Sequence, residues 1–212
     1  MICVAHKAVS KAEGRTARLA DVAPGARARA LAHEHGKDAR LVELVLSESA
    51  ELMRAERGVL ICRTRHGLVC ANAGVDVSNA AAGEAVLLPR VPDASARRLR
   101  ARIAQVRGVR PALVVSDSFG RAWRLGQTDV AIGAAGLAPL DDWRRRRDAH
   151  GRDLRATAIA VGDAVAAAAD LVRAKDAGEP GVLVRGLERF VTAADGPGAG
   201  ALRRPTEDDL FT

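Results

Sequence analysis

The chain has 212 residues and is 48% hydrophobic, so it can bury a core in one large domain or two small intertwined ones, and intrinsic disorder is excluded. Its net charge of +7, with Arg far ahead of Lys (only Lys7, Lys11, Lys37 and Lys175), favours an anionic partner: a nucleotide, a nucleic acid or an acidic small molecule. No apolar run reaches the ~18 residues of a membrane span, and residues 1–5 are too short for a secretory signal.

Ile2 to Val9 reads as an apolar strand that starts with no turn signal before it. Residues 26–35 and 39–56 read as helices. In the second, Leu41, Leu44, Val45, Leu52 and Met53 recur at helical spacing, Asp38 is a candidate N-cap, and Ser47-Glu48-Ser49 marks a place to kink or split. Residues 59–64 and 68–73 read as strands joined by the hairpin signal Arg65-His66-Gly67. Pro92-Asp93 opens a helix over 94–107 with Leu99, Ile103 and Val106 facing inward, and Gly108 stops it. Ala112 to Ser116 reads as a buried strand, and 128–137 as a strand followed by a loop. An Ala-rich helix over 154–175 ends near Gly178-Glu179-Pro180, and Gly181 to Arg185 is a further strand. Residues 194–200 read as a linker and 205–212 as an acidic tail. Strands and helices mix without strict βαβ alternation, which predicts an α+β fold with mixed sheets.

Cys3, Cys62 and Cys70 cannot all pair and form no CxxC, which points to a reducing, cytoplasmic setting and away from structural zinc. Aromatic residues are 2% and Tyr is absent, which weighs against base stacking and hence against single-stranded nucleic acid. GxxxxGK[ST] and GxGxxG are both missing, so neither a P-loop nor a Rossmann site has support.

Two acidic turns carry the chemistry. Asp76-Val77-Ser78-Asn79 and Asp117-Ser118-Phe119-Gly120-Arg121 each follow an apolar strand, and each supplies the oxygen ligands that a hard cation wants. Each also reads as an ordinary capped turn. Asp76 and Asp117 are expected to approach each other and share a metal site. Lys7 and Lys11 project to one face if the strand stays extended, and a pair of ammonium groups there suits a triphosphate; a solvated strand end is the plainer reading. Gly126 to Gly133 reads as a ligand loop or a strand start, and Arg144 to Arg147 as a solvated run that could also meet an acidic substrate.

Several of these strings, in order, resemble the coenzyme F420-0:L-glutamate ligase family. They are Val9 to Arg15, Lys37 to Glu43, Thr64 to Gly67, Val69 to Asn79, Ser116 to Arg121 and Gly126 to Gly133, and the resemblance covers most of residues 4–187. It implies the uncommon gamma-glutamyl ligase fold over residues 1–193, with 194–212 as linker and tail, and a homodimer. It implies GTP-dependent ligation of L-glutamate to a deazaflavin precursor through an acyl phosphate. Asp76, Asp117 and Ser118 would hold Mg2+ or Mn2+, with K+ as a further cation. His6, Lys7, Lys11, Asn79 and Lys175 would contact the nucleotide, and Asp76, Asp117 and Lys11 would serve catalysis. The family carries a segment ahead of this chain's first strand, and has Pro commonly at Ala122 and Gly at Arg145. A related ligase with another acidic acceptor and a non-catalytic basic nucleic-acid-binding domain are the rival readings. The main reading involves neither nucleic acid nor membrane.

Overall fold

The computed structural model describes residues 1–209; the last three residues of the predicted tail lie outside them. In chain order the elements are β1 (Ile2–Ala5), α1 (His6–Ala12), β2 (Thr16–Arg18), α2 (Ala26–His35), α3 (Ala39–Glu48), β3 (Ser49–Glu56), β4 (Val59–Thr64), β5 (Val69–Ala71), β6 (Glu84–Val86), α4 (Pro92–Arg107), β7 (Leu113–Arg121), β8 (Arg124–Ala135), β9 (Asp141–Asp142), β10 (Ala158–Ile159), α5 (Val161–Val172) and β11 (Gly181–Leu183). The class is α+β. The sheets are β11-β1-β7-β8, β3-β4-β5, and the pairs β2-β6 and β9-β10. No helix among the described residues is long and apolar enough to cross a membrane.

The chain divides into two compact units. The first comprises Met1–Val4, Pro92–Ser116 and Asp129–Thr212. Its core gathers Val114, Ala134, Leu137 and Cys3 with Val165, Ala166 and Ala169 of α5. Small residues on α5 let it lie close to the sheet; even Gly162 has the Ala131 methyl 3.3 Å from where a Cβ would stand. Asp93, in the first turn of α4, accepts the N–H groups of Ala134 (2.8 Å) and Ala199 (2.7 Å). Residues 194–200 are part of this unit: Asp195 pairs with Arg100 at 2.6 Å. The buried face of α4 is Pro92, Ser95, Ala96 and Arg100, whereas Val106 is exposed, so the predicted inward stripe is displaced. Arg100 can be buried because the Pro111, Ala193 and Thr192 carbonyls accept its N–H groups beside Asp195.

The second unit comprises Ala5–Val91 and Asp117–Thr128. Val42 and Val45 of α3 pack with Ala28 and Ala32 of α2 against Leu60 and Cys62 of β4. The predicted helix over 39–56 splits at Ser49. The Ser47 and Ser49 hydroxyls donate to the Leu44 and Val45 carbonyls, closing the last turn of α3, and the chain leaves as β3. Two bulges in the β3–β4 register, one between Leu52 and Arg54, break the strict alternation that marks a strand. Cys62 and Cys70 face each other across β4 and β5 as free, buried thiols. Burial first, then the nearby Asp117 and Cys62 charges, push the Cys70 thiol up to about 12.

Asp38 caps α3 as predicted, accepting the Arg40 N–H at 2.8 Å. The Arg40 side chain and this N–H hold the Asp38 carboxyl down from its ordinary value of 3.8 to about 2. Because the folded value is depressed, the stabilisation is present above pH 3.8 and is lost as pH falls through about 2. Asp38→Ala should cost about 1 kcal/mol at neutral pH. The deficit should shrink towards pH 2, as read by urea unfolding of both forms across that range.

Candidate active site

The predicted strand from Ile2 to Val9 stops at Ala5, and His6–Ala12 is a helix. Ala8, Ala12, Lys7 and Lys11 are good helix formers, and the helix ends at Glu13, whose N–H returns to the Val9 carbonyl at 3.0 Å. The correction preserves the shared face by a different geometry. Lys7 and Lys11 stand one helical turn apart, and so do His6 and Ser10, one quarter-turn round. His6 and Ser10 are buried, and the two lysines point away from that core.

Both lysines meet the Asp76–Asn79 loop. Lys7 Nζ donates to Asp76 Oδ2 (2.5 Å) and to Ser78 Oγ (2.5 Å). Lys11 Nζ donates to the Asn79 carbonyl. The loop also closes on itself: the Ser78 N–H donates to Asp76 Oδ1 and the Ser78 hydroxyl to Asp76 Oδ2, both at 2.8 Å. Burial pushes the Asp76 carboxyl up, but the Lys7 ammonium and the Ser78 donors outweigh it and hold the group below its ordinary value. Asp76 is thus a stable anion at neutral pH. Asn79 sits at φ 56, in the left-handed region that Asn tolerates better than most residues. Gly74, just before the loop, has φ 72, and a Cβ there would come within 2.6 Å of Leu88. Ser78 closes the loop as a donor, a role that the residue spacing alone does not mark.

Asp117 is not at a strand end. It lies inside β7, which runs on to Arg121 and returns as β8 after the two-residue turn Ala122-Trp123. His6 Nε2 is 3.2 Å from Asp117 Oδ1, and the His6 side chain is 3% exposed. No hydrogen bond to that buried nitrogen is completed among the described residues. Its Nδ1 lies 3.4 Å from Ser10 Oγ. Asp117 Oδ1 accepts the N–H of Ser118. Adjacent residues at the start of α1 therefore touch both acidic segments, His6 at Asp117 and Lys7 at Asp76.

Among the described residues, no three His, Cys, Asp or Glu side chains form a metal cage. A Mg2+ site asks less of the protein, because one or two carboxylates suffice where phosphate and water oxygens complete the shell. Asp76, Asp117 and the Ser118 hydroxyl are hard donors of that type, and the buried His6 nitrogen 3.2 Å from Asp117 Oδ1 marks a polar point within the fold. The residues present fit such an ion.

Lys175 lies in the first unit, 2.7 Å from Asp170 and 3.8 Å from Asp129. It flanks a buried pair that the sequence did not disclose. Arg173 closes on Asp129, and the Ser116 hydroxyl donates to the same carboxylate at 2.7 Å. The Gly126–Gly133 stretch is part of β8, with Asp129 facing inward at 1% exposure. Arg144 to Arg147 is largely solvated as predicted, with Arg144 forked onto Asp142.

The model of the F420-0:Gamma-glutamyl ligase family matches residues 1–186. The chain is 43% identical over its whole length to proteins named Coenzyme F420:L-glutamate ligase from Methanopyrus kandleri and Methanothermobacter thermautotrophicus, and it covers 84% of each. A protein of the same name from Methanocaldococcus jannaschii is 37% identical, again over the whole chain and 84% of the relative. The arrangement of α1 against Asp76 and Asp117 thus sits in a chain whose full length aligns with such ligases, and the chain belongs to the F420-0:Gamma-glutamyl ligase family.

Proposed function

We propose that the chain ligates L-glutamate to the carboxylate of a deazaflavin precursor in coenzyme F420 biosynthesis, using GTP and passing through an acyl phosphate. The family membership and the printed names of its relatives support the ligation. The observation that carries the chemistry is the start of α1, where adjacent His6 and Lys7 meet the two carboxylates of Asp117 and Asp76.

In this reading an acceptor carboxylate oxygen attacks the γ-phosphorus of GTP and GDP leaves. The glutamate amine then attacks the acyl carbon, the C–O bond to phosphate breaks, and the amine's surplus proton passes to solvent. Every reactant is an anion, so the protein's task is positioning and charge neutralisation. Asp76, Asp117 and Ser118 hold Mg2+ or Mn2+, which when bound supplies positive charge against the phosphoryl oxygens. Lys7 fixes the Asp76 carboxylate, and Lys11 fixes the backbone of Asn79, so the loop is shaped before substrate arrives. Their ammonium groups also lower the repulsion that a triphosphate meets beside two carboxylates. Asn79 contacts the nucleotide, K+ serves as a further cation, and the enzyme works as a homodimer.

The test is incubation of the full chain with GTP, Mg2+ or Mn2+, L-glutamate and the deazaflavin precursor. A product heavier by one glutamyl residue, with one GDP and one phosphate released per bond, is expected. Release of AMP or of pyrophosphate would overturn the acyl-phosphate route. Lys11→Ala should raise the KM for GTP by about tenfold, the scale of one charge-assisted contact. Its thermal midpoint should stay near that of the parent, because Lys11 is exposed. An unchanged KM would remove Lys11 from the nucleotide site.

A further inference from the structure

A cleft of about 660 Å3 in the first unit is lined by Asp142, Arg144, Arg145, Asp153, Leu154 and Arg155. That volume is in the range of small-molecule sites. The segment between β9 and β10 folds back to build it: the Arg145 N–H donates to the Leu154 carbonyl (3.0 Å) and the Leu154 N–H to that of Arg146 (2.8 Å).

The charges lining the cleft are unequally committed. Arg144 forks onto Asp142 with contacts from 2.6 to 3.0 Å. The Arg144 side chain and N–H hold the Asp142 carboxyl down at about 2, so Asp142 stays ionised and is fully engaged. Asp153 has only a loose pair with Arg147, at 3.5 Å and with both side chains exposed. Arg155 makes no ion pair among the described residues, and Arg145 has only the field of Asp142, already engaged by Arg144. Arg145 also stands at φ 69, in the left-handed region that glycine adopts more readily than other residues. Two guanidinium groups and one weakly held carboxylate therefore face the cleft with unused hydrogen-bonding capacity.

A dense phosphate chain would set like charge against the loosely paired Asp153. A chain whose carboxylates are separated by amide N–H groups matches both signs at once, since guanidinium forks pair with carboxylates and a free carboxylate accepts N–H. We propose that this cleft binds an oligo-γ-glutamyl chain, with its carboxylates on Arg145 and Arg155 and an amide N–H towards Asp153. The inference rests on the glutamate-ligating reading, and it assigns to these arginines the tail of a glutamylated acceptor or product.

The experiment is calorimetric titration of the full chain with tri-γ-L-glutamate, without nucleotide, beside inorganic triphosphate and a short single-stranded RNA. Glutamate ligation is assayed on the same preparations. Tri-γ-L-glutamate should bind, and Arg145→Gly and Arg155→Gln should each weaken it by about tenfold. Glycine adopts φ 69 freely, so Arg145→Gly should melt at or above the parent temperature, and its lost affinity then reports the guanidinium. Parent-like affinity in both variants overturns the cleft assignment, and so does tighter binding of triphosphate or RNA that the same substitutions abolish. Ligation by a parent whose tri-γ-glutamate affinity ignores both substitutions leaves the ligase reading standing and the cleft refuted. Arginine-dependent tri-γ-glutamate binding by a chain that ligates no glutamate upholds the cleft and refutes the ligase reading.

Discussion

Asp117→Asn should lower glutamate ligation by about a thousandfold, roughly 4 kcal/mol of barrier, while the chain still folds. Asparagine keeps the shape of the side chain and an oxygen that can accept the Ser118 N–H, which the Asp117 carboxylate accepts at 2.8 Å. What disappears is the negative charge beside His6 and, in the proposed reading, an anionic ligand for the metal ion. Asp76→Asn should behave alike, with a further modest effect on stability. It breaks the pair with Lys7, whose partners are 21% and 43% exposed, so the loss of folding energy should stay within about 1 kcal/mol. A large loss of turnover with a small loss of stability separates a reacting role from a structural one. The measurement is single-turnover ligation beside urea unfolding of the same proteins. Turnover within tenfold of the parent in both variants would remove the two carboxylates from the reaction.

The elements legible in the sequence were those whose local chemistry agrees with their tertiary setting. α2 ends at Gly36 in the left-handed conformation, α3 begins at an Asp cap, and β4 alternates buried positions with more accessible ones, so each is found at or near its predicted place. The failures have specific causes. β3 is written in helix-forming residues, Ser-Ala-Glu-Leu-Met-Arg-Ala-Glu, and takes its extended form from pairing with β4, a long-range interaction that a local window does not contain. The apolar run at the start of the chain covers two elements because Ala8 and Val9 suit a buried helix face as well as a strand. The helix predicted from residue 154 begins at Val161, since β10 first pairs Ala158 with Asp142 and Ile159 with Asp141.

For the site, motif spacing pointed to the two acidic segments and to the lysines, but the pairing between them spans 69 positions from Lys7 to Asp76. The contact of His6 with Asp117 is longer still in sequence and had no local signal. Asp117 itself read as a turn because Ser118 and Gly120 are turn residues. In the fold they continue β7, whose neighbours β1 and β8 fix its path.

Asp129→Ala should destabilise the chain by about 3–5 kcal/mol, the cost of leaving one member of a buried ion pair without its partner. Asp129 is 1% exposed and Arg173 8%, so the guanidinium left behind would be buried without its counter-charge. The Ser116 hydroxyl, which donates to Asp129 and also accepts from Arg173 at 3.2 Å, would lose half of its bonding. Lys175 cannot compensate, because it carries the same sign as Arg173 and its side chain is 65% exposed. Cys3 lies near the pair, and burial pushes its thiol up against the opposing influence of Ser116 and Arg173, so the pair sits in a desolvated setting. The urea midpoint should fall with the slope unchanged, and the thermal midpoint should drop by on the order of 10 °C. The double substitution Asp129→Leu with Arg173→Met removes both charges together and should recover most of the loss, since an apolar replacement of a buried pair is often close to neutral. A single substitution costing less than about 1 kcal/mol, or a double one costing the sum of the two singles, would show that the pair is not a coupled buried unit. Arg173 also closes α5, donating its N–H to the Ala169 carbonyl at 3.2 Å, and it opens the segment that carries Lys175. With Asp129 gone, that segment loses its anchor at the end of the helix.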